Sequence, residues 1–120
     1  MKTWAHDGFG RRFLPLLYLV ATLALTVSAA RAEDTVKLSI TVKDQRFDPT
    51  ELHAPPGQAI EIQVKNLNPI VSEFESADLH FEKIVPAGSQ GVVHVRPLQP
   101  GRYNFYDDFH HATQGYLVVP

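Results

Sequence analysis

Tyr103-Asn104-Phe105-Tyr106-Asp107-Asp108-Phe109-His110-His111-Ala112-Thr113-Gln114-Gly115-Tyr116-Leu117-Val118-Val119 sets two carboxylates and two imidazoles within five positions, between an aromatic run and an apolar run. Both flanks have the composition of buried β-structure, so the stretch predicts two strands carrying a polar tip. Rigid strands fix donor positions before an ion arrives, which lowers the ordering cost of binding. The plain alternative is a solvated hairpin whose Asp side chains accept backbone N–H bonds.

Upstream, the same period-two pattern recurs. Val36 to Val42 alternates so that Val36, Leu38, Ile40 and Val42 share one buried face. Ala59 to Asn66 places Ile60, Ile62 and Val64 inward and Glu61, Gln63 and Lys65 in solvent. Phe47-Asp48-Pro49 and Pro55-Pro56-Gly57 are expected turns around a brief extended Glu51-Leu52-His53-Ala54. In Ser72 to Ser76, Phe74 points one way while Glu73 and Glu75 point the other, which puts two carboxylates on one face. Leu79 to Val85 is less regular: if extended, it brings His80 and Glu82 to one face, and Ala77 to Phe81 also permits a short helical turn. Gly91 to Arg96 is a further strand. About seven short strands, Pro- and Gly-rich turns and no helical period beyond the leader predict an all-β sandwich or barrel.

The first 32 residues have another character. Lys2, Arg11 and Arg12 precede 18 uncharged residues, Phe13 to Ala30, and Ala30-Arg31-Ala32 offers a cleavage pattern. We expect a signal peptide over 1–32 and a domain over 33–120. A run of 18 is at the lower edge of what spans a bilayer, so a retained anchor is the alternative. Arg11-Arg12-Phe13-Leu14 is also similar to a twin-arginine signal. Removing 32 of 120 residues leaves 88, enough for one compact domain. With the leader's four basic residues and one acid set aside from 11 and 13, seven basic and twelve acidic residues remain, a balance of −5. That argues against nucleic acid as a partner and suits cations or a basic protein.

The chain has no cysteine, and its one methionine is the initiator. Thiol nucleophiles, zinc–thiolate sites and thiolate or thioether copper ligands are therefore excluded. No G-x-S-x-G elbow, H-E-x-x-H, phosphate loop or glycine-rich dinucleotide turn is present. Glycoside hydrolysis needs a sugar cleft that 88 residues leave little room for. What remains is metal ligation, by His110, Asp108, Glu73, Glu75 and Asp107 in that order. His80, Glu82 and His111 are supporting or alternate donors. Adjacent His110 and His111 face opposite ways on an extended backbone, so only a turn lets both reach one ion. His53 and His94 occupy ordinary strand positions and are expected to be structural. Carboxylate with imidazole suits zinc, iron or Cu(II), and oxygen-rich donors favour the higher charge state of a redox metal. The expected cofactor is a copper or iron ion. This requires the tip bearing Asp108 and His110 to meet the Glu73 region in space.

Tyr103 to His110 resembles the Y-x-F-Y-C-x-x-H segment of the cupredoxins, small copper proteins with a Greek-key β-sandwich. Asp107 stands in place of their copper-binding Cys, His110 matches the His, and the later Met has no counterpart. From about Phe47 to Val119 the chain is also similar to the cysteine-free cupredoxin-like periplasmic proteins of bacterial ferrous-iron uptake systems. The matching residues are Glu73-Phe74-Glu75-Ser76, Leu79, Glu82-Lys83, Val85-Pro86-Ala87-Gly88, and Asp108-Phe109-His110 through Thr113 and Gly115. Ser72 and Asp108 depart from that pattern, each replacing a usual glutamate. The resemblance implies a Greek-key cupredoxin-like β-sandwich and a periplasmic location. It implies a role in Fe(II) oxidation or electron transfer beside a periplasmic iron-binding protein, an iron permease and a membrane electron carrier, with membrane contact only through those partners. The competing expectation is a non-redox module that docks on the iron carrier or permease through its acidic face. Copper chaperoning ranks last, because Cu(I) wants the soft ligands this chain lacks.

Overall fold

The computed structural model describes residues 34–120, and the expected signal peptide, anchor and twin-arginine features lie outside the described residues. Nine strands follow in order: β1 Val36–Lys43, β2 Arg46–Asp48, β3 Glu51–His53, β4 Ile60–Asn66, β5 Ser72–Ser76, β6 Phe81–Val85, β7 Gln90–Val95, β8 Gly101–Asp107 and β9 His110–Val119. There is no helix among the described residues, and Ala77 to His80 forms a turn rather than a helical one.

The expected count of about seven strands is corrected to nine by the three-residue strands β2 and β3. Phe47 was expected in a turn because Asp48-Pro49 follows it. It is instead a strand residue paired with Val42, with its ring in the core. A two-residue hairpin makes this possible, since Asp44 and Gln45 both take positive φ, 50° and 58°, the twist that short antiparallel connections need.

The strands form two mixed sheets, β2-β1-β4-β7 and β3-β9-β8-β5-β6. Alternation turns Ile40, Val42, Phe47, Ile60, Ile62, Val64, Val93 and Val95 of the first sheet toward Leu52, Phe74, Val85, Phe105, Leu117 and Val119 of the second. Phe47, Phe74 and Phe105 meet edge to face, with centroids 5.1–5.6 Å apart. Because Phe74 is anchored in this cluster, Glu73 and Glu75 must project from the outer face of the five-stranded sheet.

At one pole, fully buried Asn66 shares its Nδ2 hydrogens among the carbonyls of Ile70, Val85 and Pro86 at 2.8, 3.0 and 3.3 Å, and its Oδ1 accepts the Asn68 N–H. This amide ties the end of β4 to the loop entering β5 and to the end of β6. It thereby fixes how β5 is presented.

Candidate metal centre

Glu73, Glu75 and Asp108 each bring a carboxylate oxygen within 4.8 Å of the others'. The first two reach this point by strand alternation on β5. Asp108 reaches it from the two-residue β8–β9 turn, where its N–H donates to the Glu73 carbonyl at 2.9 Å. The turn is shaped by Asp107, whose Oδ1 accepts the N–H of Phe109 two residues on, at 3.0 Å. The same oxygen accepts the Glu73 N–H at 3.1 Å, and Oδ2 accepts the Ser72 hydroxyl at 2.6 Å. Asp107 is thus a buried clasp holding the β8–β9 turn against β5.

Of the expected ligands, the structure brings Glu73, Glu75 and Asp108 together. Asp107 faces the interior, 1% exposed, as the inward register partner of Phe74. His110 is not part of the carboxylate cluster. It opens β9 opposite Asp107, and its Nδ1 lies 3.3 Å from Asp107 Oδ2. The register of β8 and β9 shifts between Tyr106 and Asp107, leaving His111 to Thr113 as a bulge. The bulge sends His111 elsewhere: its ring lies parallel to Tyr106, centroids 6.3 Å apart, with Nε2 3.5 Å from Asp108 Oδ1. Glu82 is the cross-strand partner of Glu75 on β6. His80 sits in the β5–β6 turn at positive φ, and both line a cleft of about 270 Å³ with Glu75. Exposed His94 is on β7 of the other sheet, and exposed His53 is on edge strand β3, separated from β5 by β9 and β8. A larger depression of about 540 Å³ lies at the β1–β2 tip, where Lys43 and Arg46 alternate with Asp44 and Asp48; it gathers no donor set.

The cluster is electrostatically strained. A hydrogen bond to Glu82, then burial, then the charges of Glu82, Asp108 and Glu75 push Glu73 from 4.5 up to about 7. Among the described residues no lysine or arginine lies within ion-pair distance of Glu73, Glu75 or Asp108. A proton on Glu73 relieves this repulsion from within the cluster, and the His111 imidazole, 3.5 Å from Asp108, is the nearby group that can carry positive charge. Since the folded-state value lies above the unfolded one, this proton favours folding: its contribution is complete below about 4.5 and is lost as pH rises through about 7. Without added cations, thermal stability should therefore decline between about pH 5 and pH 8. Glu73→Gln should flatten that decline, and an unchanged profile in the variant would contradict the assignment.

Tyr106 belongs to this face and the sequence did not single it out. It pairs directly with Glu75 across β5 and β8. Burial, then the charges of Glu75 and Asp108, then contact with Glu75, then the charge of Asp78 raise its phenol above 10.0. The available signal was parity: Phe105 and Asp107 face inward, so Tyr106 must face the glutamates.

An all-β sandwich with this strand order and a polar turn at one pole defines a cupredoxin-like class of domain. The Cupredoxin-like domain family matches residues 15–119, and the chain belongs to it. An uncharacterized protein of Rickettsia prowazekii (strain Madrid E) is 36% identical over 88 residues, which cover 72% of this chain and 70% of that protein. Among solved structures, the metal-binding domain of the Cu(I)-exporting P-type ATPase CopA of Streptococcus pneumoniae D39 aligns with TM-score 0.63 and 16% identity, covering 72% of this chain and 96% of that one. Auracyanin of Roseiflexus castenholzii aligns with TM-score 0.59 and 18% identity, covering 71% and 97%. A chain of a heme-copper terminal oxidase dimer aligns with TM-score 0.59 and 21% identity over 70% of this chain, which spans 65% of that one. These structural likenesses are of fold.

The donors do not fit a blue-copper ion. There is no thiolate anywhere in the sequence, and the side chain in the corresponding place, Asp107, is turned inward and occupied by the donors around it. They do fit a hard cation: three carboxylates converge, with a fourth at Glu82, and among the described residues no lysine or arginine side chain pairs with them.

Proposed function

We propose that this protein binds an iron ion at Glu73, Glu75 and Asp108, with Glu82 in support, and serves ferrous-iron uptake in the periplasm by taking up Fe(II) and favouring its ferric state. The observation that carries the reading is the convergence of three carboxylates within 4.8 Å around a Glu73 that is only 7% exposed and pairs with no lysine or arginine among the described residues. Desolvated like charges cost folding free energy, and a cation removes that cost as it binds. Bound iron would supply one-electron chemistry at this place. The chain's own contribution is to hold hard oxygen donors, which stabilise the more highly charged ion, on two rigid strands and one clasped turn. The iron-uptake assignment draws further support from the Glu73-Phe74-Glu75-Ser76 and Val85-Pro86-Ala87-Gly88 motifs. Copper fits less well, because His110, the imidazole it would prefer, is engaged with Asp107.

Calorimetric titration of the purified protein with Fe(II) under anaerobic conditions, ferric nitrilotriacetate and Cu(II) tests this. Iron should bind at one site, and Glu73→Gln with Glu75→Gln should weaken it by about 100-fold or more. Affinity should fall by up to about tenfold per pH unit below about 7, as protons compete for Glu73. Iron binding that is unaffected by the double substitution would overturn the site. Absence of iron binding altogether would leave the acidic face as a protein-docking surface.

A further inference from the structure

We infer that Lys83 closes the seam between the edge strands β6 and β7 to a second copy of this chain, so that the protein stays monomeric although two partly apolar strand edges lie open side by side.

The seam follows from the topology. β6 ends the five-stranded sheet and β7 ends the four-stranded one, and among the described residues each has a neighbouring strand of its sheet on one side only. With five and six residues they are the longest of the four free edges; β2 and β3 have three each. A strand edge with unpaired backbone groups is a template for another strand, the more so when its side chains are apolar. Here Ile84 on β6 is 55% exposed and Val92 on β7 is 38% exposed.

Lys83 stands between them. It is the register partner of fully buried Phe74, so alternation turns it to the inner side of the sheet while Glu82 and Ile84 face outward. An inward lysine at the margin of a sandwich keeps its ammonium in water only by running its stem along the seam. Gly91 of β7 provides the path: a Cβ there would come within 3.1 Å of Lys83 Cε and 3.3 Å of its Cγ. The stem thus crosses to β7, and Lys83 is exposed and, among the described residues, paired with no carboxylate.

Pairing of β6 with a second copy about a two-fold axis then fails in each register. Opposed residues of an antiparallel pair share a face, so the five residues of β6 offer three substantial overlaps, centred on Glu82, Lys83 or Ile84. The longest, centred on Lys83, sets two lysines against each other with Cβ atoms about 5 Å apart. The overlap centred on Glu82 opposes two glutamates. The one centred on Ile84 sets Glu82 against Pro86, which has no N–H to donate. In all three, the inner side of the joined sheet encloses both ammoniums without a counter-charge, and an unpaired buried charge is costly. Lys83→Val removes that charge, and the longest register then opposes Phe81 to Val85 and Glu82 to Ile84, with no like charges facing.

Sedimentation equilibrium of the purified protein tests this. The parent should remain monomeric up to about 1 mM, while Lys83→Val should dimerise with a dissociation constant at least about 100-fold lower. Lys83→Arg keeps both stem and charge and should behave as the parent does. In the Lys83→Val dimer, amide hydrogen exchange should show new protection over β6. Should that variant not fold, Lys83→Gln, which loses only the charge, should still tighten association by about tenfold. Neutral variants that stay monomeric, a Lys83→Arg protein that dimerises equally well, or a dimer whose β6 amides exchange as before would each overturn the assignment.

Discussion

Asp107→Leu is expected to lower stability by roughly 3–5 kcal/mol, the cost of removing one side of a buried charged hydrogen-bond set. In a domain of this size that moves the melting temperature down by about 15 °C or more. The change leaves the Ser72 hydroxyl and the N–H groups of Glu73 and Phe109 buried or half-buried without their acceptor, and frees His110. Leucine branches like aspartate but is larger, so overpacking at this buried position adds to the lost hydrogen bonds. Asp107→Asn separates the parts. One amide oxygen still accepts from Glu73 and Phe109, while the NH₂ can donate to the Ser72 oxygen, so a loss of about 1 kcal/mol is expected. Urea unfolding of both variants measures the difference. An Asp107→Leu protein as stable as the parent would show that the clasp is dispensable.

Gly115→Ala is expected to be nearly as damaging, at or above the upper end of the roughly 1–3 kcal/mol that overpacking a core costs. Gly115 is opposite Phe105 in the β8–β9 register. A Cβ there would run into the end of the Phe105 ring and come within 2.8 Å of the Thr50 carbonyl oxygen. Neither can yield cheaply. Phe105 is fully buried between Phe47 and Phe74, and the Thr50 carbonyl accepts the Tyr116 N–H that aligns β3 with β9. Glycine serves here for want of a side chain, since its backbone is ordinary strand. Thermal denaturation should show a reduced melting temperature, and Gly115→Val should unfold the chain further. An alanine variant that melts with the parent would mean that Phe105 repacks without cost.

Both effects fall on the stretch that organises the molecule, and they show where sequence reasoning was sufficient. The alternation in β1, β4 and β5 was enough to place Ile40, Ile62, Phe74 and their neighbours in the core and to put Glu73 and Glu75 on one outward face. Parity is a local property of an extended chain, so it can be read without knowing any partner strand. Asp108 was legible for a weaker reason: it lay in a turn, and turns present side chains at a pole. Phe47 was misplaced because Asp48-Pro49 is a strong local turn signal, and only a ring cavity built by β5 and β8 could override it.

What the sequence determined alone was the all-β architecture, the exclusion of thiolate chemistry and the outward carboxylate pair, all consequences of composition and of period two along single strands. The division of labour at the tip came from tertiary structure. Asp107 and Asp108 are chemically identical neighbours, yet one is a buried clasp and the other a cluster donor, because β5 supplies Ser72 and the Glu73 N–H to the first and the Glu73 and Glu75 carboxylates to the second. His110 and His111 were likewise indistinguishable by spacing until a bulge in β9 turned one toward Asp107 and the other onto Tyr106. Which carboxylates meet depends on the pairing of strands 30 and more residues apart in the chain, and no local pattern encodes that pairing.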